Sequence, residues 1–176
     1  ILYMVKYMYY VNIFFIYSMI GFLFEGIISL VKNKKFNSGI LYGPWTPIYG
    51  VGCLLIIFIS KYIFKNLVLD KWLEILIVIT TVTFILTIIE WITGNLIEKI
   101  FHVVFWNYRK FKYNIGKYIA LEVSFVWMIG SVIVIYILHP LISRFTLYIP
   151  EFISIIFIIL FIIDIMVVFF TKKVNK

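Results

Sequence analysis

The sequence predicts an all-α, polytopic transmembrane bundle of about five spans, and three observations lead there. Of the 176 residues, 64% are hydrophobic, 20% are aromatic and only 14% are charged. A soluble chain is about a quarter charged and about half apolar, so the excess apolar surface here has to face lipid. The apolar residues also come in long runs, and the basic residues gather at the ends of those runs, as the positive-inside rule describes. That placement accounts for the net charge of +8 without a nucleic-acid partner.

The first run extends from about residue 8 to 31, interrupted only by Glu25. A crossing needs roughly 20 apolar residues at about 1.5 Å each. Glu25 and Lys32 stand where a signal peptide would carry a small-residue cleavage site, so the run reads as a retained helix. The chain begins at Ile1, which fits either a truncated start or a non-standard initiation codon.

A polar stretch through Gly39 leads into Gly43-Pro44-Trp45-Thr46-Pro47-Ile48-Tyr49-Gly50. Two prolines three apart do not fit a regular helix interior, so a turn or a segment dipping into the membrane edge is expected. The second span covers about 48–64, with Lys61 snorkelling near its end. The third covers about 72–93, its helix continuing past Glu98. A basic aromatic loop, 101–117, precedes the fourth span at about 118–138, which His139-Pro140 is expected to stop. The fifth covers about 152–170. One membrane domain fills this length.

Five of the sixteen basic residues (Lys6, Lys61, Lys65, Lys71, Arg144) then fall on one side and eleven on the other. The richer side is cytoplasmic, with the N-terminus out and the C-terminus in. This assignment requires the second span to cross. The first and third spans each carry a glutamate toward their cytoplasmic end, and each leads to an aromatic-Asn-x-Gly loop: Phe36-Asn37-Ser38-Gly39 and Tyr113-Asn114-Ile115-Gly116. Parallel repeats of this kind occur in transporters.

Glu25 and Glu90 both lie 17 or so residues down their spans, about 25 Å along parallel helices. Glu90, Gly94 and Glu98 share one face at i, i+4 and i+8, and Glu122 enters from the start of the fourth span. An intramembrane carboxylate is costly and faces a cavity or a partner. Arg109, Lys117 and Lys35 are candidate partners; pairing at the headgroups is the structural alternative. Asp164 lies deeper, facing another helix or snorkelling toward Lys172.

Irregular backbone at the membrane edge is buried against protein or lines a wet cavity. Tyr42, Gly43, Pro44, Trp45, Pro47, Tyr49 and Gly50 are therefore functional candidates with Glu25, Glu90, Glu98, Trp106 and Asn114. Prolines 44 and 47 have no N–H, but the remaining N–H groups and the tyrosine hydroxyls need acceptors. At least one of Glu25 and Glu90 is thus expected to contact residues 42–50 or a basic loop residue. Trp91 and Trp106 suit an interfacial belt.

Glu98 and His102 share a helix face but lack a third ligand, so no metal and no cofactor is assigned. Cys53 is a lone cysteine. There is no G-x-x-x-x-G-K-[ST] phosphate loop, no H-E-x-x-H and no G-x-S-x-G. ATP, if used, is handled by a separate ATPase subunit.

The order of several motifs resembles a family of small bacterial membrane proteins labelled "putative ABC-transporter permease, type IV" and associated with the name CmpB. The resemblance runs from about Ile16 to Pro140. It rests on Gly21-Phe22-Leu23-Phe24-Glu25, on Ser38-Gly39-Ile40-Leu41-Tyr42-Gly43-Pro44 with Pro47-Ile48-Tyr49-Gly50, and on Glu90, Gly94 and Glu98. Phe101-His102, Trp106, Asn114 with Gly116, Trp127 and His139-Pro140 complete it. The chain departs at Thr46, where the family usually has Cys, and at Asn107 and Arg109, where Trp-Asp-Tyr-Ser is usual.

The resemblance implies transport, with an ATPase partner, at the cell membrane of a bacterium. The residues alone leave three readings: a permease-like subunit acting as a homo-oligomer or with partners, an intramembrane enzyme using Glu25 and Glu90, or a non-catalytic scaffold or regulator.

Overall fold

The computed structural model describes residues 2–33, 35–36, 38–63 and 70–174. It is all-α apart from one short ribbon. Helix α1 is Leu2–Asn33 and α2 is Pro47–Phe58, continued by a π-helical segment, Ile59–Ile63. Helix α3 is Lys71–Phe101. Strands β1 (Asn114–Ile115) and β2 (Ile119–Ala120) form an antiparallel pair. Helix α4 is Leu121–Ile133, continued by a second π segment, Val134–Leu138, then by α5 (His139–Thr146); α6 is Glu151–Val174.

Among the described residues four helical stretches are long and apolar enough to cross a bilayer: 7–32, 71–101, 121–146 and 151–171. The chain is therefore a multi-pass membrane protein. The apolar stretch Pro47–Lys61 is shorter, and the expected end of the second span at Phe64 lies outside the described residues. So do Asn37, Lys34, Lys65 and Lys176.

Three boundaries differ from expectation. Pro47 opens α2 instead of extending the irregular segment, because a proline at the first helical position gives up an N–H that has no intrahelical partner anyway. The fourth span starts at Leu121, since residues 114–120 are occupied by the ribbon and its turn. His139-Pro140 does not stop it: the helical stretch continues to Thr146. A proline ring clashes with the carbonyl four residues back, and the wider π turn of Val134–Leu138 lies just before it.

The chain forms two compact units, residues 1–51 with 142–176 and residues 52–141. In the first, α1 packs on α6. Asn12 and Ser154, both buried, share a 2.6 Å hydrogen bond. Phe14 and Phe15 meet Phe161 edge-on. Glycines let backbones approach closely in membranes, and Gly50 is such a contact: a Cβ there would sit 2.6 Å from the Phe14 carbonyl oxygen.

In the second unit, Val78, Val82 and Leu86 form a stripe on α3 at i, i+4 and i+8. They bury against Ile56 and Ile59, with Trp127, Val134 and Ile135 packed around them. The same face of α3 continues into the buried Glu90 and Gly94. Beside it, Thr87 and Ser124 join α3 to α4 by a 3.0 Å hydroxyl pair, the kind of polar contact that links helices in lipid.

Candidate functional site

Each unit holds a loop against its helices through carboxylates. In the first unit the loop is the Pro/Gly segment. The Tyr42 N–H donates to Asp164 Oδ1 at 3.0 Å, and the Gly43 N–H donates to Oδ2 at 2.8 Å. The Trp45 indole N–H adds a third bond to Oδ2 at 2.7 Å. Asp164 is 8% exposed on α6, so water does not supply these bonds. The loop's free N–H groups, which Pro44 cannot share, have their acceptor here.

Trp45 packs edge-on against both Phe15 and Phe161, which also touch each other, and Gly43 lies directly under its ring. Next along the chain, the Thr46 N–H donates to the Ser18 carbonyl on α1 at 2.9 Å. The Thr46 hydroxyl donates to the Ser38 carbonyl at 2.8 Å. Asp164 is the residue whose part sequence reasoning missed. Snorkelling toward Lys172 is replaced by inward bonding, and the signal was its depth in a run with no other charge.

Tyr49 stands at the mouth of α2 and reaches back to α1. Its hydroxyl donates to Glu25 Oε1 at 2.5 Å. Its side chain lies on Gly21, where a Cβ would come within 2.3 Å of the ring. The contact expected between a glutamate and residues 42–50 is thus made through Glu25.

The second unit uses the 102–120 loop. His102 takes the left-handed conformation (φ 54°) and closes α3 with its N–H on the Glu98 carbonyl. The loop returns so that the Tyr108 hydroxyl donates to Glu90 Oε1 at 2.5 Å, while the Trp127 indole N–H donates to Oε2 at 2.9 Å. Glu90, 5% exposed, therefore has both oxygens engaged by aromatic donors from the loop and from α4.

Glu98 forms an ion pair with Lys117 and accepts the Tyr118 hydroxyl at 2.8 Å. Tyr118 is buried, with its ring on Gly94, where a Cβ would come within 2.6 Å. Burial first, and then the Glu98 carboxylate, push the Tyr118 phenol up to about 12. Of the proposed basic partners, Lys117 serves Glu98. Lys35 contributes its carbonyl to Ser29.

Asn114 holds the turn: its amide donates to the carbonyls of Phe111 at 2.7 Å and Arg109 at 3.4 Å. Gly116 follows at φ 72°, a conformation glycine adopts without steric cost. Glu122 accepts the Tyr113 N–H at 3.2 Å. Trp106 packs edge-on to Tyr118, and its buried indole nitrogen meets no hydrogen-bond partner among the described residues. Trp91 is exposed on the outside of α3.

The candidates therefore separate. Glu25, Tyr42, Gly43, Pro44, Trp45, Pro47, Tyr49 and Gly50 belong to the first unit. Glu90, Glu98, Trp106 and Asn114 belong to the second. Among the described residues no group of three metal-ligating side chains comes together.

A family model described as "Putative ABC-transporter type IV" matches residues 12–170. No curated protein and no solved structure matches the chain.

Proposed function

Because the chain belongs to the family described as "Putative ABC-transporter type IV", we propose that it is a permease-like membrane subunit of an ATP-driven transporter. The observation that carries this reading is the family match over nearly the whole chain. The helical architecture agrees with it. These 176 residues hold no phosphate-binding loop, which agrees with an ATPase subunit that docks on the membrane subunit. The basic loops face the cytoplasm, where such a partner works.

The carboxylates support a positioning part over a catalytic one. A general base must reach the proton it removes. Both oxygens of Glu90 are instead taken by Tyr108 and Trp127, and those of Asp164 by three loop donors. These groups hold loops on membrane helices. A non-catalytic scaffold would use the same chemistry, and its partners distinguish it from a permease.

The test is purification of tagged protein in mild detergent, followed by identification of what accompanies it. An ATPase subunit is expected, and ATP hydrolysis is expected only in its presence. Recovery of a homo-oligomer with no ATPase, or robust hydrolysis by the pure chain, would reject the reading.

A further inference from the structure

We propose that residues 2–63 and 71–138 repeat one order of helical segments. In this assignment Gly94, Glu98 and Tyr118 form in the second copy the clasp that Gly21, Glu25 and Tyr49 form in the first. The order of helical segments is the same in both, and the β1–β2 ribbon is an addition within the second copy's loop. A helix of 32 residues corresponds to one of 31. A loop follows that contains a glycine at positive φ, Gly39 in one and Gly116 in the other. A helix of 12 residues then corresponds to one of 13, and each runs into a π segment of five. Residues in π-helices make up well under 1% of globular structure, so two such segments at the same place in the order are poorly explained by chance.

The side chains fix the register. In each copy a glycine and a glutamate stand at i and i+4 on the long helix, on one face. In each, a tyrosine lays its ring on that glycine and donates its hydroxyl to that glutamate: Tyr49 from the first turn of α2, Tyr118 from the turn before β2 that leads into α4. The intervals from glutamate to tyrosine are 24 and 20 residues.

Glu25 therefore corresponds to Glu98, not to Glu90, which shares its apparent depth in the sequence. Two turns earlier on the same faces stand Tyr17 and Glu90, both buried. The tyrosine works as a positioning residue, pinning its loop to the long helix at matched points.

The duplication has a consequence for topology. The counterpart of α2 with its π segment is α4 with its π segment, which lies in a stretch long enough to span. Residues 47–63 number seventeen, at the short end of the roughly 17–25 a crossing takes. They cross on this assignment. Matching interruptions in corresponding helices of two halves mark substrate sites in transporters, which gives the π segments their interest.

Two measurements test this, and neither depends on transport, so its failure leaves the permease reading standing. In a Cys53→Ser background, Ser38→Cys, Asp70→Cys, Asn107→Cys and Tyr148→Cys are probed singly with a membrane-impermeant maleimide in sealed vesicles. Ser38→Cys and Asn107→Cys should be labelled from one side, Asp70→Cys and Tyr148→Cys from the other. Labelling of Asp70→Cys from the Ser38→Cys side overturns the duplication.

The second measurement is thermal unfolding of Gly21→Ala, Gly94→Ala and Gly130→Ala. Alanine ordinarily favours a helix over glycine, and Gly130 has open space where its Cβ would go. Gly130→Ala should hold or gain stability, while both clasp variants lose it by similar amounts. Tolerance of alanine at either clasp glycine rejects their equivalence.

Discussion

The backbone N–H of Gly43 donates to Asp164 at 2.8 Å across 121 residues of sequence. This contact, with those from Tyr42 and Trp45, fixes the Pro/Gly loop to α6. Asp164→Asn keeps the shape but replaces one acceptor oxygen with a donor that faces the loop's own donors. Bonds to a charged acceptor are worth about 1.5–3 kcal/mol each, and a buried donor left unmade costs about 1–3. Asp164→Asn should therefore lose about 2–3 kcal/mol of stability in thermal or denaturant unfolding in detergent. Asp164→Ala should lose more, since three donors remain. An Asn variant that melts with the wild type would show that the loop is held by something else.

Tyr118 predicts an alkaline effect. Its folded pKa, pushed up to about 12, lies above the ordinary tyrosine value of about 10. A raised folded pKa gives stability that is fully present below the unfolded pKa and is lost as pH rises through the folded one. The wild type's advantage over Tyr118→Phe should thus be constant up to about pH 10 and shrink between about 10 and 12. Unfolding midpoints across that range check it, with tyrosinate absorbance as a second readout. A difference that stays flat to pH 12 would contradict the assignment.

Much of this was legible in the sequence because lipid imposes simple rules. Long apolar runs marked the helices, and the Pro/Gly segment marked the irregular backbone. That at least one of Glu25 and Glu90 would meet residues 42–50 or a basic loop residue followed from the need of the segment's donors for an acceptor. What the sequence hid was longer range. Asp164 takes its partners from a loop 119 to 122 residues away, and no local spacing encodes that. The equivalence of Glu25 with Glu98 was obscured by Glu90, which sits two turns earlier on the same face. Only the tyrosine stacked on each glycine distinguishes the two. The π segments leave no signature in composition, so Pro140 read as a stop where the helix continues.

Orientation rests on charge alone, so it is best checked directly. With eleven basic residues assigned to one side and five to the other, reporter fusions at Lys112 and Lys173 should read cytoplasmic. A fusion at Arg144 should read external. An external reading at Lys112 would reverse the assignment and remove the docking face proposed for an ATPase.

Glu25 and Glu90 look alike in sequence but should respond differently to the same change. Glu90 is buried, with one oxygen on Tyr108 and the other on Trp127. In Glu90→Gln the amide carbonyl can still accept from one of them, but its NH2 then meets the other donor. The cost should be about 1–3 kcal/mol, visible as a lower unfolding midpoint. Glu25 is half-buried, and Tyr49 donates to a single oxygen. In Glu25→Gln the amide oxygen can keep that bond, so stability should change by less than about 1 kcal/mol. If Glu25 also acts in transport, Glu25→Gln should lower ATPase-coupled flux at near-normal expression, separating charge from fold. Equal loss of stability in the two variants would refute the distinction between a carboxylate bonded at both oxygens and one bonded, among the described residues, at a single oxygen.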